Sequence, residues 1–251
     1  MTAEAVSLNV DASGAAWIRV NRPERHNAMT AAMYEALLEC IASAQADERV
    51  RCVLLQGEGG KSFISGTDIS HFKDFTDGKQ GIEYEAFVER VIDAVERICF
   101  PTIAVIDGWA VGGGLALATA CDFRICTPKS RFGAPIAKTL SNTLSSRNMA
   151  RMAAALGIPR VKRMLLLADY LNADEALNCG FVQSIVSAET LIDESQQLAD
   201  KLMALSGTTQ AAVKESLRRI VVDNDLHDDD LVESVYGSAA FRSGVAGFIK
   251  S

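Results

Sequence analysis

Three consecutive glycines, Gly112-Gly113-Gly114, stand between an apolar stretch of strand character (residues 102–106) and an alanine-rich stretch of helix character (residues 116–120). A chain that leaves a strand, turns through glycine and enters a helix exposes backbone N–H groups that no Cβ covers. They lie where the first helical amides have no intrahelical acceptor and the helix dipole is positive. Such a turn can hold a phosphate, or the negative oxygen that develops on a carbonyl during a reaction. A dinucleotide reading fails on spacing, since the contiguous glycines do not form Gly-x-Gly-x-x-Gly. A second glycine turn, Ser65-Gly66-Thr67-Asp68, also follows a strand-like stretch. Two such turns in one chain could bring two N–H groups onto a single oxygen, an oxyanion hole.

The frame around these turns is legible in outline. Residues 6–10 and 16–20 flank a turn at Asp11 to Gly14, and residues 50–56 read as a strand ending in Gly57-Glu58-Gly59-Gly60. Thr30 is an N-cap for a helix running to Ala44, with Met33, Leu37, Leu38 and Ile41 on one face. The spacing of Phe87, Val88, Val91, Ile92 and Val95 predicts an amphipathic helix over residues 82–98. Helices are expected over 147–156 and 161–167, and another from an Asn172 cap. From Glu189 onward the pattern is helical throughout. The plan is repeated strand–strand–helix turns with a helical tail, an α/β (α+β) arrangement. The 251 residues, 49% of them hydrophobic, suit a core over 1–190 and a C-terminal helical region over 191–251.

Composition narrows the partners. With 25 basic against 32 acidic residues the net charge is −7, which argues against nucleic acid. Cys40, Cys52, Cys99, Cys121, Cys126 and Cys179 form no Cys-x-x-Cys pair and read as core thiols of a reducing compartment. His26, His71 and His227 lack metal-ligand spacing, so no metal site is expected. The first residues show no basic segment followed by an apolar core, and the longest apolar run is too short and glycine-rich to span a bilayer. The expectation is a soluble cytoplasmic protein, with no membrane partner.

Five segments, in order along most of the chain, make it familiar. They are Asn21-Arg22-Pro23-Glu24-Arg25-His26-Asn27-Ala28-Met29, Phe63-Ile64-Ser65-Gly66-Thr67-Asp68-Ile69, and Asp107 to Gly114 followed by Ala120-Cys121-Asp122. Arg131-Phe132-Gly133-Ala134-Pro135 and Asn172 to Val182 complete the set. Together they resemble the signatures of the enoyl-CoA hydratase/isomerase (crotonase) superfamily. The resemblance implies a spiral of β-β-α turns, a homotrimer or homohexamer in which the C-terminal region serves trimerisation or as a lid, and an acyl-CoA thioester ligand. Coenzyme A then enters as part of the substrate, with no tightly bound cofactor. By position, the oxyanion-hole donors are the N–H groups of Thr67 and Gly113. Arg25, Asn27, Ser65, Gly66, Asp68, Ile69 and Ser70 are expected along the coenzyme A path, and Ala116 and Ile136 at the acyl site.

The departures from the family pattern matter as much. Family hydratases carry one glutamate three residues after the central glycine, where this chain has Ala116, and a second after the Gln-Pro-type pair, where it has Ile136. Residues 138–148 replace a glycine-rich stretch with hydroxyls and amides, which do not act as strong bases near neutral pH. Asp68 reads as structural, His71 as a solvent-facing loop residue, and Asp122 as a local cap or pair. Asp93 and Glu96 read as surface residues in preference to acyl-pocket residues, and Asp228-Asp229-Asp230 as a solvated helix start. The expected activity is isomerisation, hydrolysis or lyase chemistry on an acyl-CoA, without efficient hydration. A non-catalytic acyl-CoA binder and a coenzyme A-independent diketone hydrolase on the same fold are the alternatives.

Overall fold

The computed structural model describes residues 4–250. Met1 to Ala3, which open the segment read above for a leader, and Ser251 lie outside the described residues. Strands β1 (Val6–Val10) and β2 (Ala15–Val20) form an antiparallel hairpin. Its turn is held by the Asp11 carboxylate, which accepts from the N–H groups of Ser13, Gly14 and Ala15. Helix α1 (Ala31–Ala46) follows, and Thr30 caps it as expected by accepting from the Met33 N–H.

The chain then repeats one unit: β3 (Cys52–Gly57), β4 (Ser62–Ile64) and α2 (Gly78–Glu96); β5 (Thr102–Ile106), β6 (Trp109–Val111) and α3 (Gly113–Ala120); β7 (Phe123–Cys126), β8 (Arg131–Gly133) and α4 (Ser146–Leu156). Helix α5 (Ile158–Leu166), β9 (Leu171–Asn172), α6 (Ala173–Asn178) and β10 (Ser184–Ile185) close the spiral. Each turn gives one strand to each of two sheets, ordered β1-β2-β3-β5-β7-β10 and β4-β6-β8-β9. From β2 to β10 the larger sheet is parallel, with Leu54 opposite Ile103 and Val105 opposite Ile125. Parallel strands must be covered on both faces, which explains their nearly unbroken apolar character.

Alternation along the strands feeds two cores. Ile18, Val53 and Leu55 face Leu37, Ile41, Val91, Ile92 and Leu117 of the inner helices. Trp17, Leu54, Ile103, Val105 and Ile125 face Leu191, Ala199, Leu202 and Met203 of α7 (Leu191–Met203). The first helix of the C-terminal region thus packs as one layer of the sheet. Beyond it lie α8 (Gly207–Arg218), a π-type turn at Arg219–Asp223, α9 (Asp229–Tyr236) and α10 (Ala239–Lys250). Lys214 ties α8 to the core by donating to the Phe100 carbonyl and the Asp122 carboxylate. Among the described residues no helix is long and apolar enough to cross a membrane.

Several details differ from the sequence reading. Helix α2 starts four residues earlier than predicted, at Gly78, because Asp77 and Gln80 form a capping box that overrides the polar, glycine-containing composition. Helix α5 starts at Ile158, because Pro159 falls in the first turn, where its missing N–H costs nothing. Cys52, Cys121 and Cys126 are buried thiols, but Cys40 and Cys179 are half-buried and Cys99, in the turn after α2, is exposed.

Asp93 and Glu96 are not surface residues. With Glu89 they face Arg151 of α4, whose side chain is 2% exposed, at 3.6, 2.8 and 2.6 Å respectively. One guanidinium thus bolts α2 to α4. Asp93 keeps Arg97 at 2.6 Å, but removing Arg151 strips the half-buried Glu89 and Glu96 of their ion pairs, so Arg151→Ala is expected to destabilise the fold by about 3–5 kcal/mol. Urea denaturation followed by circular dichroism measures this, and a loss below about 1 kcal/mol would show that the cluster behaves as an exposed pair.

Candidate active site

The smaller sheet builds the site. Strands β4, β6 and β8 are parallel neighbours, with Ser62 opposite Trp109 and Trp109 opposite Arg131. Their carboxyl ends therefore lie side by side, and each ends in one of the segments singled out above: Ser65 to Asp68, Gly112 to Gly114, and Ala134 to Ile136. Segments far apart in sequence converge because they leave equivalent strands.

Gly112 has φ 56° and ψ −120°, a conformation an L side chain resists, and its N–H is anchored on the Gly133 carbonyl at 2.9 Å. This turn presents the Gly113 amide, first in α3, beside the other glycine turn. The Gly113 nitrogen lies 3.6 Å from the point a Cβ on Gly66 would occupy. Thr67 is oriented by a parallel bridge to Met29, in which the Met29 N–H donates to the Gly66 carbonyl and the Asp68 N–H donates to the Met29 carbonyl. A bridge of that pattern turns the N–H of Thr67 itself to the opposite side. Neither the Thr67 nor the Gly113 amide donates to another group among the described residues. Both are available to an oxygen placed between them.

The Thr67 side chain is held equally firmly. Its Oγ1 lies 2.9 Å from the Tyr34 hydroxyl of α1 and 2.6 Å from the Tyr84 hydroxyl of α2. The Tyr34 oxygen also lies 2.7 Å from where a Cβ on Gly113 would sit, so this phenol, 1% exposed, props both amide-bearing turns from beneath. Burial raises the Tyr34 pKa, as does neighbouring Tyr84, and burial pushes Tyr84 up to about 12. Both phenols stay protonated through the physiological range and keep their hydroxyl contacts with Thr67. His71, exposed as expected, sits in the 3-10 turn Ile69–Phe72 with its ring against Phe72, Phe75 and Tyr84.

Asp68 has the structural role expected of it. It accepts from the Ser70 N–H and Oγ, and pairs with Arg22 at 2.7 Å. The Arg22 hydrogen bond, with those from Ser70, lowers its pKa to about 2. Asn27 is fully buried. Its oxygen accepts from the Arg22 N–H and its amide donates to the Glu58 and Ser62 carbonyls, so it shapes the loop from inside. Arg25, Ile69 and Ser70 are exposed, Ser65 is half-buried and Gly66 buried. Ala116 is 5% exposed, one helical turn beyond Gly113, and Ile136 packs half-buried against the core. Asp122 is not a local cap: it accepts from the Thr102 N–H and hydroxyl on β5 and pairs with Lys214 of α8.

One carboxylate near these groups escaped the sequence reading. Glu85, next to Tyr84 on α2, accepts the Ser145 N–H at 2.7 Å where the loop after Ile136 enters α4. Burial raises its pKa, the Ser145 N–H opposes this, and the Glu89 charge raises it further. The polar side of α2 bears several glutamates, so helical spacing did not distinguish this one.

Comparison with known proteins agrees with this fold. A family model for enoyl-CoA hydratase/isomerase matches residues 11–249. A crotonyl-CoA hydratase of Syntrophomonas wolfei is 31% identical over 185 residues, 74% of this chain and 70% of that protein. An (E)-benzylidenesuccinyl-CoA hydratase of Thauera aromatica is 33% identical over 205 residues, 79% of this chain and 78% of the relative. Among solved structures, an enoyl-CoA hydratase/carnithine racemase from Magnetospirillum magneticum superposes with a TM-score of 0.88 at 27% identity, covering 99% of this chain and 94% of that one.

Proposed function

The chain belongs to the enoyl-CoA hydratase/isomerase family, and from that premise we propose that it binds an acyl-CoA thioester and stabilises an enolate-type oxyanion between the N–H groups of Thr67 and Gly113. The observation that carries this reading is the convergence of two unengaged backbone amides at the ends of β4 and β6. Their setting is fixed by folding, so they need no reorganisation when charge develops on the carbonyl oxygen, which is where such donors act most strongly.

The reaction is an isomerisation, hydrolysis or lyase step in preference to efficient hydration. Ala116 and Ile136 supply no proton at the positions where family hydratases carry glutamates, and the hydroxyl-rich loop after Ile136 supplies no strong base. The relatives include enzymes named for hydration and for isomerisation, such as a 1,2-epoxyphenylacetyl-CoA isomerase of Escherichia coli. Arg25, Ser65, Gly66, Ile69 and Ser70 line the coenzyme A path, and the substrate's own coenzyme A is the only cofactor required. The protein acts in the cytoplasm, where its free thiols suit a reducing medium. It assembles as a homotrimer or homohexamer. The tail supports assembly, because Leu205, Leu217, Leu226 and Ile249 remain exposed in the single chain.

Calorimetric titration with butyryl-CoA and free coenzyme A, followed by mass spectrometry of a panel of acyl-CoA thioesters, tests the reading. Binding of butyryl-CoA, and conversion of at least one thioester, are the expected results. A protein that binds no thioester and converts none would sink it.

A further inference from the structure

Glu85, Glu89, Asp93 and Glu96 form one stripe along α2, at the helical spacing that places residues four or three apart on the same face. Arg151 answers the last three. Glu85, a turn further toward the site, has no cationic partner among the described residues. Its Oε2 accepts the Ser145 N–H and its Oε1 accepts no hydrogen bond among them.

Its location is fixed by two anchors on adjacent residues of α2. Tyr84 reaches the oxyanion segment through Thr67 Oγ1 at 2.6 Å, and Glu85 reaches Ser145 at the far end of the loop that begins at Ile136. Adjacent residues of α2 thus tie this helix to the oxyanion segment on one side and to the loop after Ile136 on the other. The Glu85 charge is felt by both phenols, Tyr34 and Tyr84, that hold the oxyanion segment.

We propose that Glu85 is the catalytic proton-transfer residue of this site, in place of the carboxylates absent at Ala116 and Ile136. The proposal rests on the thioester reading above. In the step it assigns, the Glu85 carboxylate takes a proton from the α-carbon. The C–H electron pair forms a double bond to the carbonyl carbon, and the carbonyl π electrons move to the oxygen held by the Thr67 and Gly113 amides. Return of the proton from the Glu85 carboxyl to the α-carbon restores the thioester. Return to the γ-carbon of a 3-enoyl thioester gives the conjugated 2-enoyl isomer. Either way the carboxylate is regenerated and no co-reactant is consumed. A half-buried carboxyl whose pKa is raised by desolvation is a stronger base than a solvated one.

Glu85→Gln separates this role from a structural one, because a glutamine carbonyl can still accept the Ser145 N–H but cannot take a proton. The probes are but-3-enoyl-CoA, followed for conversion to crotonyl-CoA, and butyryl-CoA in D2O, followed by mass spectrometry for deuterium uptake at the α-carbon. Glu83→Gln, at an exposed position on the same helix, is the control. The expected result is a kcat lower by about 10²–10⁴-fold in Glu85→Gln, with butyryl-CoA affinity retained and Glu83→Gln unchanged. Equal exchange in wild type and Glu85→Gln would overturn the proposal and leave the thioester reading intact. Butyryl-CoA binding without any exchange or isomerisation by the wild type would overturn it as well. Failure of the wild type to bind butyryl-CoA would overturn the thioester reading and this proposal together.

Discussion

Crotonyl-CoA is expected to be hydrated by this chain at less than about 1 per second, the low end of ordinary enzyme turnover. The double variant Ala116→Glu/Ile136→Glu is expected to raise that rate by at least about 10²-fold. Hydration makes two demands on side chains: a base must activate water at the β-carbon and an acid must protonate the α-carbon. Ala116, a turn beyond Gly113, and Ile136, just past β8, carry apolar side chains that can meet neither demand. A single carboxylate such as Glu85 suffices to move one proton off a carbon and back, which is the lighter task of isomerisation. Each glutamate alone is expected to give less than the pair, since each group contributes about 10²–10⁴-fold only when the other half of the addition is also served. Ala116 is buried among core side chains, so circular dichroism and butyryl-CoA titration must accompany the rate. Wild-type hydration at an ordinary enzymatic rate would show that another group activates water. A double variant that folds and binds the thioester yet gains no hydration would show that positions 116 and 136 do not face the reacting carbons.

The sequence made the local units readable and left their meetings hidden. Thr30 and Asn172 cap helices as their chemistry requires, and the strand–strand–helix repeats follow from apolar spacing and glycine turns. The two amide-bearing turns were visible as separate glycine segments, because backbone freedom is written in residue type. Their convergence depends on β4 and β6 pairing in parallel within the smaller sheet, a tertiary event that no local pattern encodes. The same limit hid Tyr34, Tyr84 and Glu85. Tyr34 lies within the apolar stripe of α1, and only the crossing of α1 with α2 brings its hydroxyl to Thr67 and opposite Tyr84. Asp93 and Glu96 read as solvent-facing because their partner, Arg151, lies more than fifty residues away on α4.

Deleting one oxyanion donor is expected to lower kcat for thioester turnover by about 10²–10³-fold, equivalent to roughly 2.7–4 kcal/mol of barrier. Gly113→Pro performs the deletion, since proline has no N–H and is accepted at the first position of a helix. Any Cβ at 113 would lie 2.7 Å from the Tyr34 oxygen, so the comparison belongs in a Tyr34→Phe background, where that oxygen is gone. Substitution of the neighbouring Gly114 cannot serve, because a Cβ there would lie 1.9 Å from the Ile64 carbonyl oxygen and would force apart α3 and β4. The ground-state carbonyl carries little negative charge, so butyryl-CoA affinity should change less than kcat, the mark of an interaction made mainly in the transition state. The rate ratio between Tyr34→Phe and Tyr34→Phe/Gly113→Pro, with titration of butyryl-CoA to each, decides the matter. If the two variants turn over the same thioester within about threefold, corresponding to well under 1 kcal/mol, the Gly113 amide does not meet the oxyanion. If affinity falls as far as kcat/KM while kcat holds, the amide binds the substrate and its transition state equally, and the glycine turn is a cradle for the ligand without being a source of catalysis.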